Sequence, residues 1–376
     1  MDPTVSTDQQ PPMKRALELA AAGRGAVSPN PLVGAVIVDR DGAVVGEGWH
    51  AELGGPHAEV AAIADARSRG GDPAGATMHV TLEPCAHHGR QPPCTDAILA
   101  AGLVRVVIAS DDPSAKASGR GPGMLRDGGI EVDWAGGEDA AAARLLNQPF
   151  RKHSRTERPL VVLKSALTLD GRTATASGDS KWISGGRSRE LVHRWRAEAD
   201  AVAVGIGTAI ADDALLTARD VGARRQPLRL VFDSSARLPL ESKLAASATD
   251  SPVVVIAGAG APPERISALE GAGVEVVVAP GNGPERVLAV LDELGRRGIT
   301  SLLLEGGATI AGAFRDAGEL DELRLFYAPV VLGGDDARPL IGGGGSPRIE
   351  AAERALAVCW EASGEDMLAL ARMREW

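Results

Sequence analysis

Short runs of β-branched and aliphatic residues alternate with alanine-rich stretches of helical period along nearly the whole chain. The runs Val33–Val38, Thr77–Leu82 and Val104–Ala109 read as strands in the first half. Leu160–Lys164, Ala201–Gly205, Leu228–Phe232, Val253–Ala257, Val274–Val278, Ser301–Leu304 and Glu322–Tyr327 read as strands in the second. Between them the spacing predicts helices over Met13–Ala22, His57–Arg69, Thr95–Ala101, Arg187–Glu198, Pro284–Arg296 and Ala308–Ala317. Alternation of this kind is the signature of an α/β architecture with a largely parallel sheet.

The pattern breaks once. Residues 147–159, NQPFRKHSRTERP, are polar and basic with no apolar period. They read as an exposed linker, or partly as a loop lining a site. Two domains are expected, at 11–148 and 156–376. The length of 376 residues is enough for two cores. The chain carries 40 Lys and Arg against 50 Asp and Glu, a net charge of −10, and only 3% aromatic residues. Both argue against a nucleic-acid binder. No apolar run reaches eighteen residues, and the first twelve residues lack the basic start and apolar stretch of a signal peptide. A cytoplasmic enzyme with no membrane partner is the expectation, and a homo-oligomer is compatible with it.

An odd, low count of three cysteines does not suggest a disulfide framework. Cys359 reads as a small buried residue in the strand-like stretch 356–360. Cys85 and Cys94 lie beside histidines. Pro56 fits the first turn of a helix, which puts His57 and Glu59 at its N-terminus. Cys94 stands at the start of another, where the helix end favours a thiolate. His57, Cys85 and Cys94 form a three-ligand set for a catalytic Zn2+ with one open position, and Glu59 is the proton shuttle. His-x-Glu followed by two cysteines matches the zinc-deaminase signature, except that eight residues, not two, separate the cysteines. His87 and His88 are rival ligands.

The segments SPNPLVGAVIV, GEGWH, GGPHAE and TLEPCAHHGRQPPC together resemble the deaminase domain of the bifunctional riboflavin-biosynthesis deaminase/reductase family, which carries the long Cys-x8-Cys loop. The resemblance implies a cytidine-deaminase-like α/β/α domain. It also implies that Asn30 and His50 contact the pyrimidine and Arg90 the phosphate of a phosphoribosyl-pyrimidine substrate. Ser114 stands where that family usually carries Asn.

In the second half no Gly-x-Gly-x-x-Gly fingerprint closes a strand–helix turn. Two strand ends nevertheless carry glycine turns, Gly205–Thr208 and Gly306–Thr309. With KSALTLDGRTATASGDSKWIS, VGIGTAIADDALLTAR and VFDSSARLP they resemble the reductase domain of the same family, a relative of the dihydrofolate-reductase fold. The resemblance implies NADPH binding by Ala166, Trp182, Thr208, Asp212, Ser234 and Gly307. It implies substrate contacts at Ser180, Arg196, Leu216, Arg219 and Glu305. Lys164 is a candidate for phosphate binding or proton donation, and Trp49 and Trp195 read as core or wall residues.

Two other readings share the first constellation. One is a zinc nucleoside or nucleic-acid deaminase with a non-catalytic C-terminal domain. The other is a zinc-stapled interaction module, in which His87 or His88 completes four ligands.

Overall fold

A computed structural model describes residues 10–89, 91–115, 117, 119–181 and 183–376. The chain divides into two compact units, one running to Thr156 and including Trp376, the other Glu157–Glu375.

In the first unit, in chain order, are α1 (Pro12–Ala21), β1 (Gly34–Val38), β2 (Val44–Trp49), α2 (Ala58–Ser68), β3 (Thr77–Val80), α3 (Cys94–Ala100), β4 (Arg105–Ile108), α4 (Arg120–Asp127), β5 (Glu131–Trp134), α5 (Gly137–Leu146) and α6 (Gln148–Thr156). The sheet order is β2-β1-β3-β4-β5. β1 pairs antiparallel with β2 and β3, and β3, β4 and β5 run parallel. β1 is buried at every position, so it reads as a continuous apolar run, not an alternating one.

Two glycines of β2 set the seat of α2. A Cβ on Gly46 would stand 2.4 Å from the Ala62 carbonyl oxygen, and one on Gly48 would stand 2.3 Å from the Ala62 nitrogen. Without those side chains the helix backbone lies directly on the strand, which fixes where the helix N-terminus points.

The expected linker at 147–159 is corrected: Gln148–Thr156 is helix α6, and Gln148, Arg151 and Lys152 are buried. Its inward face is polar and is satisfied by hydrogen bonds, so no apolar period marks it. Arg151 donates to Ser110 Oγ at 3.1 Å and to Asp111 Oδ1 at 3.0 Å. Just before it, Asn147 holds both the N–H and the carbonyl of Leu32.

The second unit contains β6 (Leu160–Leu167), β7 (Arg172–Ala174), α7 (Gly186–Glu198), β8 (Ala201–Gly205), α8 (Ile206–Asp212), β9 (Leu228–Phe232), α9 (Lys243–Ala246), β10 (Val253–Gly258), α10 (Pro263–Gly271), β11 (Glu275–Ala279), α11 (Pro284–Arg296), β12 (Ser301–Leu304), α12 (Ala308–Asp316), β13 (Glu322–Tyr327), β14 (Arg338–Pro339), β15 (Ala357–Ser363) and β16 (Asp366–Arg372). Its main sheet is ordered β11-β10-β9-β8-β12-β6-β13-β16-β15. It is parallel from β11 to β13 and closes with an antiparallel β13-β16-β15 edge. Val161, Leu163, Leu230, Leu302 and Leu304 meet Val290, Leu291 and Phe314 of the covering helices in the core. Phe314 packs edge-on against Phe232. Cys359 is exposed on edge strand β15, contrary to the expectation of a buried residue. Trp49 and Trp195 border apolar clusters, as expected.

Candidate active sites

The parallel strands β3 and β4 deliver Leu82–Cys85 and Ser110–Ser114 to one end of the first sheet. In open α/β sheets ligands bind outside the carboxyl ends of such strands. A cleft of about 480 Å³ lies there, lined by Asn30, His50, His57, Glu59, Cys85 and Ser114 among others.

His57 is the N-cap of α2, in an extended conformation, with no side-chain capping bond. Its ring is therefore free to turn toward the sulfurs. Nδ1 lies 3.2 Å from Cys94 Sγ and 3.6 Å from Cys85 Sγ. The Cys94 backbone N–H donates to Cys85 Sγ at 3.3 Å. These three residues form the metal-capable cluster among the described residues, with neither His87 nor His88 in it. The Cys85 thiol, hydrogen-bonded by Cys94 and beside His57, is held down at about 4 against the opposing effect of burial. Cys94 is pushed up by its bond to Cys85, by burial and by Glu59. The two sulfurs thus share one proton, a place a divalent cation can take. A tetrahedral zinc with bonds near 2.3 Å to sulfur and 2.0 Å to nitrogen needs donors roughly 3.5–3.8 Å apart. The 3.6 Å between His57 Nδ1 and Cys85 Sγ matches that spacing, the 3.2 Å to Cys94 Sγ is slightly shorter, and all three donors lie within 4.8 Å of one another, so the donor set suits zinc.

Glu59 sits in the first turn of α2, 3% exposed. Burial raises its carboxyl above the usual range, partly offset by its own backbone N–H. His50 is buried as well. The Pro56 carbonyl can only accept, so His50 Nδ1–H donates to it at 3.0 Å. Nε2 is then the acceptor for the Asn30 amide at 3.1 Å. Both ring nitrogens are used within the protein, so His50 fixes the orientation of Asn30. Burial lowers the His50 pKa and keeps the ring neutral. Arg90 lies outside the described residues. Glu83, Asp112 and Phe150 also line the cleft and were not singled out from the sequence. Phe150 was hidden by reading its helix as a linker.

In the second unit a cavity of about 600 Å³ opens at the carboxyl ends of β6, β8 and β12. Ala166, Ser180, Arg196, Thr208, Asp212, Arg219, Glu305 and Gly307 line it, with Lys164. Leu216 is buried beneath, at φ 57°. Ser234 follows β9 and is not among these lining residues, and Trp182 lies outside the described residues. Arg196 grips Glu305 with two bonds, Nε–Oε1 at 2.6 Å and Nη2–Oε2 at 2.9 Å. Lys164 Nζ is 3.6 Å from Glu305 Oε2. Burial alone would raise the Glu305 carboxyl, but Arg196 and Lys164 outweigh it and hold it at about 2. Burial lowers Lys164, with Glu305 opposing. His193 lines the cavity too, one turn of α7 before Arg196. That helical spacing was the signal available for it.

The two glycine turns abut. A Cβ on Gly306 would sit 2.0 Å from Ile310 Cγ2 and 3.5 Å from the Gly205 nitrogen, and one on Gly307 would sit 3.6 Å from Thr208 Oγ1. Gly307 is the N-cap of the nine-residue α12. Bare backbone at a helix start suits a phosphate, so the residues fit a nicotinamide dinucleotide.

Fold and site together define a two-domain enzyme that couples a zinc-type amine hydrolase to a reductase of the dihydrofolate-reductase type. Residues 6–110 match the cytidine and deoxycytidylate deaminase zinc-binding region, and residues 159–368 match the RibD C-terminal domain. The chain is 43% identical over 321 residues to the riboflavin biosynthesis protein RibD of Aquifex aeolicus, covering 85% of this chain and 87% of that one. It is 40% identical to the RibD of Actinobacillus pleuropneumoniae, covering 95% and 93%. A Thermotoga maritima structure described as a diaminohydroxyphosphoribosylaminopyrimidine deaminase/5-amino-6-(5-phosphoribosylamino)uracil reductase superposes with TM-score 0.84 at 37% identity, covering 96% and 98%. The chain belongs to the RibD family, the bifunctional deaminase/reductases of riboflavin biosynthesis.

Proposed function

We propose that the first site hydrolyses the exocyclic amine of 2,5-diamino-6-(5-phosphoribosylamino)pyrimidin-4-one and releases ammonia. The second site then reduces the ribosyl group with NADPH to give 5-amino-6-(5-phosphoribitylamino)uracil. The observation that carries this reading is the convergence of His57, Cys85 and Cys94 beside buried Glu59, on one chain with the Lys164–Glu305–Arg196 cavity.

In the first site His57, Cys85 and Cys94 would hold the zinc. Bound there, zinc supplies a Lewis acid that makes water nucleophilic near neutral pH. Glu59 would, as a carboxylate, take a proton from the attacking water and, once protonated, hand it to the departing amine. Asn30, set by His50, orients the pyrimidine.

When bound in the second site, the cofactor would supply a hydride for the ribosyl C1′. The C1′–O4′ bond breaks, and O4′ takes up one proton. Glu305, at about 2, stays a carboxylate and accepts hydrogen bonds. Lys164 is the proton-bearing group beside it. The glycine turns and Thr208 would cradle the cofactor phosphates, and Ser180 and Arg219 would take the substrate.

No helix among the described residues is long and apolar enough to cross a membrane. The reading places the enzyme in the cytoplasm, acting on a small molecule and on no nucleic acid. The test is one reaction with zinc-loaded protein, the diaminopyrimidine substrate and NADPH. Ammonia release followed by loss of NADPH absorbance is expected. Ammonia without NADPH oxidation removes the reductase assignment, and neither signal removes both.

A further inference from the structure

Residues 213–219 follow α8 and belong to no helix or strand, so no ladder satisfies their backbone. Side chains of neighbouring elements do so instead. Arg229, in β9, donates through Nη1 to the Leu215 carbonyl at 3.0 Å. Gln226, just before β9, holds both sides of Ala218: its Oε1 accepts the N–H at 2.8 Å and its Nε2 donates to the carbonyl at 2.9 Å. From α7, Arg196 Nη1 donates to the Thr217 carbonyl at 3.3 Å. His193 Nδ1 lies 3.2 Å from that carbonyl and 3.3 Å from the Arg219 nitrogen, so either tautomer ties one of them to α7.

Between these clamps sits a strained residue. Leu216 is buried at φ 57°, a left-handed conformation that a residue with a Cβ adopts at a cost. Such a turn persists only where its surroundings over-determine it. Arg229 does this from the inner side. It is wholly buried, and besides Leu215 it donates to Ser247 Oγ at 2.8 Å, to the Ser247 carbonyl at 3.0 Å and to the Ser251 carbonyl. It therefore pins the turn to the residue that ends α9. What the turn presents is Arg219, exposed at the cavity with its Nη1 on Thr217 Oγ1 at 3.1 Å. A charge held ready in this way loses little freedom when an anion arrives.

We propose that Arg229 and Gln226 are positioning residues of the reductase reaction, holding residues 215–219 in the strained turn that presents Arg219 to the anionic end of the substrate. The inference rests on the reductase reading of the cavity. Its test is steady-state kinetics of the full chain, following NADPH oxidation with the phosphoribosyl substrate and NADPH varied in turn. Gln226→Ala and Arg229→Met should each raise the KM for the substrate about 3- to 30-fold, with kcat and the KM for NADPH within about twofold of wild type. Arg229→Lys, which keeps a donor for the Leu215 carbonyl, should fall between wild type and Arg229→Met. On an Arg219→Ala background Gln226→Ala should add less than about twofold, because the clamp acts through that arginine. Should Arg229→Met misfold, Gln226→Ala at the exposed clamp carries the test. An unchanged substrate KM in Gln226→Ala and Arg229→Lys overturns the assignment. So does a rise of full size on the Arg219→Ala background, or a KM for NADPH that rises in step with that for the substrate, since a merely structural role would give either. A wild type that oxidises no NADPH with the substrate overturns the reductase reading along with it.

Discussion

Replacing Glu305 by Gln removes the one negative charge that joins Arg196 and Lys164 in the reductase cavity. The carboxylate side chain is 7% exposed and that of Arg196 is 12% exposed, so solvent screens the pair weakly. The magnitude follows from two directions. Lowering the Glu305 carboxyl from 4.5 to about 2 corresponds to about 3 kcal/mol of native-state stabilisation. Breaking a buried ion pair by removing one partner costs about 3–5 kcal/mol. The two agree on about 3 kcal/mol. For a unit of this size that is a fall in Tm of roughly 6–12 °C.

The pH dependence has a definite sign. A carboxyl with a depressed folded pKa stabilises fully above its unfolded value and loses that contribution as pH falls toward the folded value. The stability difference between wild type and variant should be constant from pH 8 to about 5 and shrink only below about 4.5. Scanning calorimetry of the full chain, reading the reductase transition across that range, is the assay. A variant as stable as the wild type at pH 7, or a difference already shrinking at pH 6.5, would refute the reasoning. The same variant should lose hydride transfer, read as NADPH oxidation.

Glu59→Gln should keep zinc at one equivalent by metal analysis and lose deaminase turnover by about 10²–10⁴. Lost zinc would instead make Glu59 a structural residue. Cys94→Ser should lower zinc content and ammonia release together while leaving the reductase transition in place. Gly48→Ala drives a methyl to 2.3 Å from the Ala62 nitrogen, so α2 must move. It should cost about 1–3 kcal/mol and weaken zinc binding, because His57 and Glu59 ride on that helix.

The deaminase site was legible because its residues are local. His57 and Glu59 share one helix start, and Cys85 and Cys94 flank one loop. Their residue types have few other joint uses. What the sequence hid was the means of holding them: the Gly46 and Gly48 seat for α2 and the tautomer chain Pro56–His50–Asn30 need the pairing of distant elements. The central strands of the second unit were legible because buried parallel strands read as apolar runs. Helix α6 was not, since its buried face is Gln148, Arg151 and Lys152, satisfied by partners tens of residues away. Cys359 was misplaced for a related reason: β15 has the composition of an inner strand but occupies the sheet edge, and only strand order shows that.

Strand order also changes what the reductase arginines can do. Arg196 and Arg219 look equivalent in sequence, two fixed positive charges suited to a substrate phosphate. In the fold Arg196 is committed to Glu305, and its remaining contact is the Thr217 carbonyl at 3.3 Å. Arg219 is exposed, with its Nη1 on Thr217 Oγ1 at 3.1 Å and no carboxylate within ion-pair distance among the described residues. Of these two arginines, the one whose charge is available to a phosphate is therefore Arg219. Arg219→Ala should raise the KM for the phosphorylated substrate by about 10- to 100-fold with Tm unchanged. Arg196→Ala should instead lower Tm by an amount close to that of Glu305→Gln, because each breaks the same pair, and the double variant should cost little more than either single one. Steady-state kinetics with and without the substrate's phosphate, together with calorimetry, separate the two. A normal Tm in Arg196→Ala with a raised KM would mean that the ion pair opens to release its arginine, and the division of labour drawn from the geometry would be wrong.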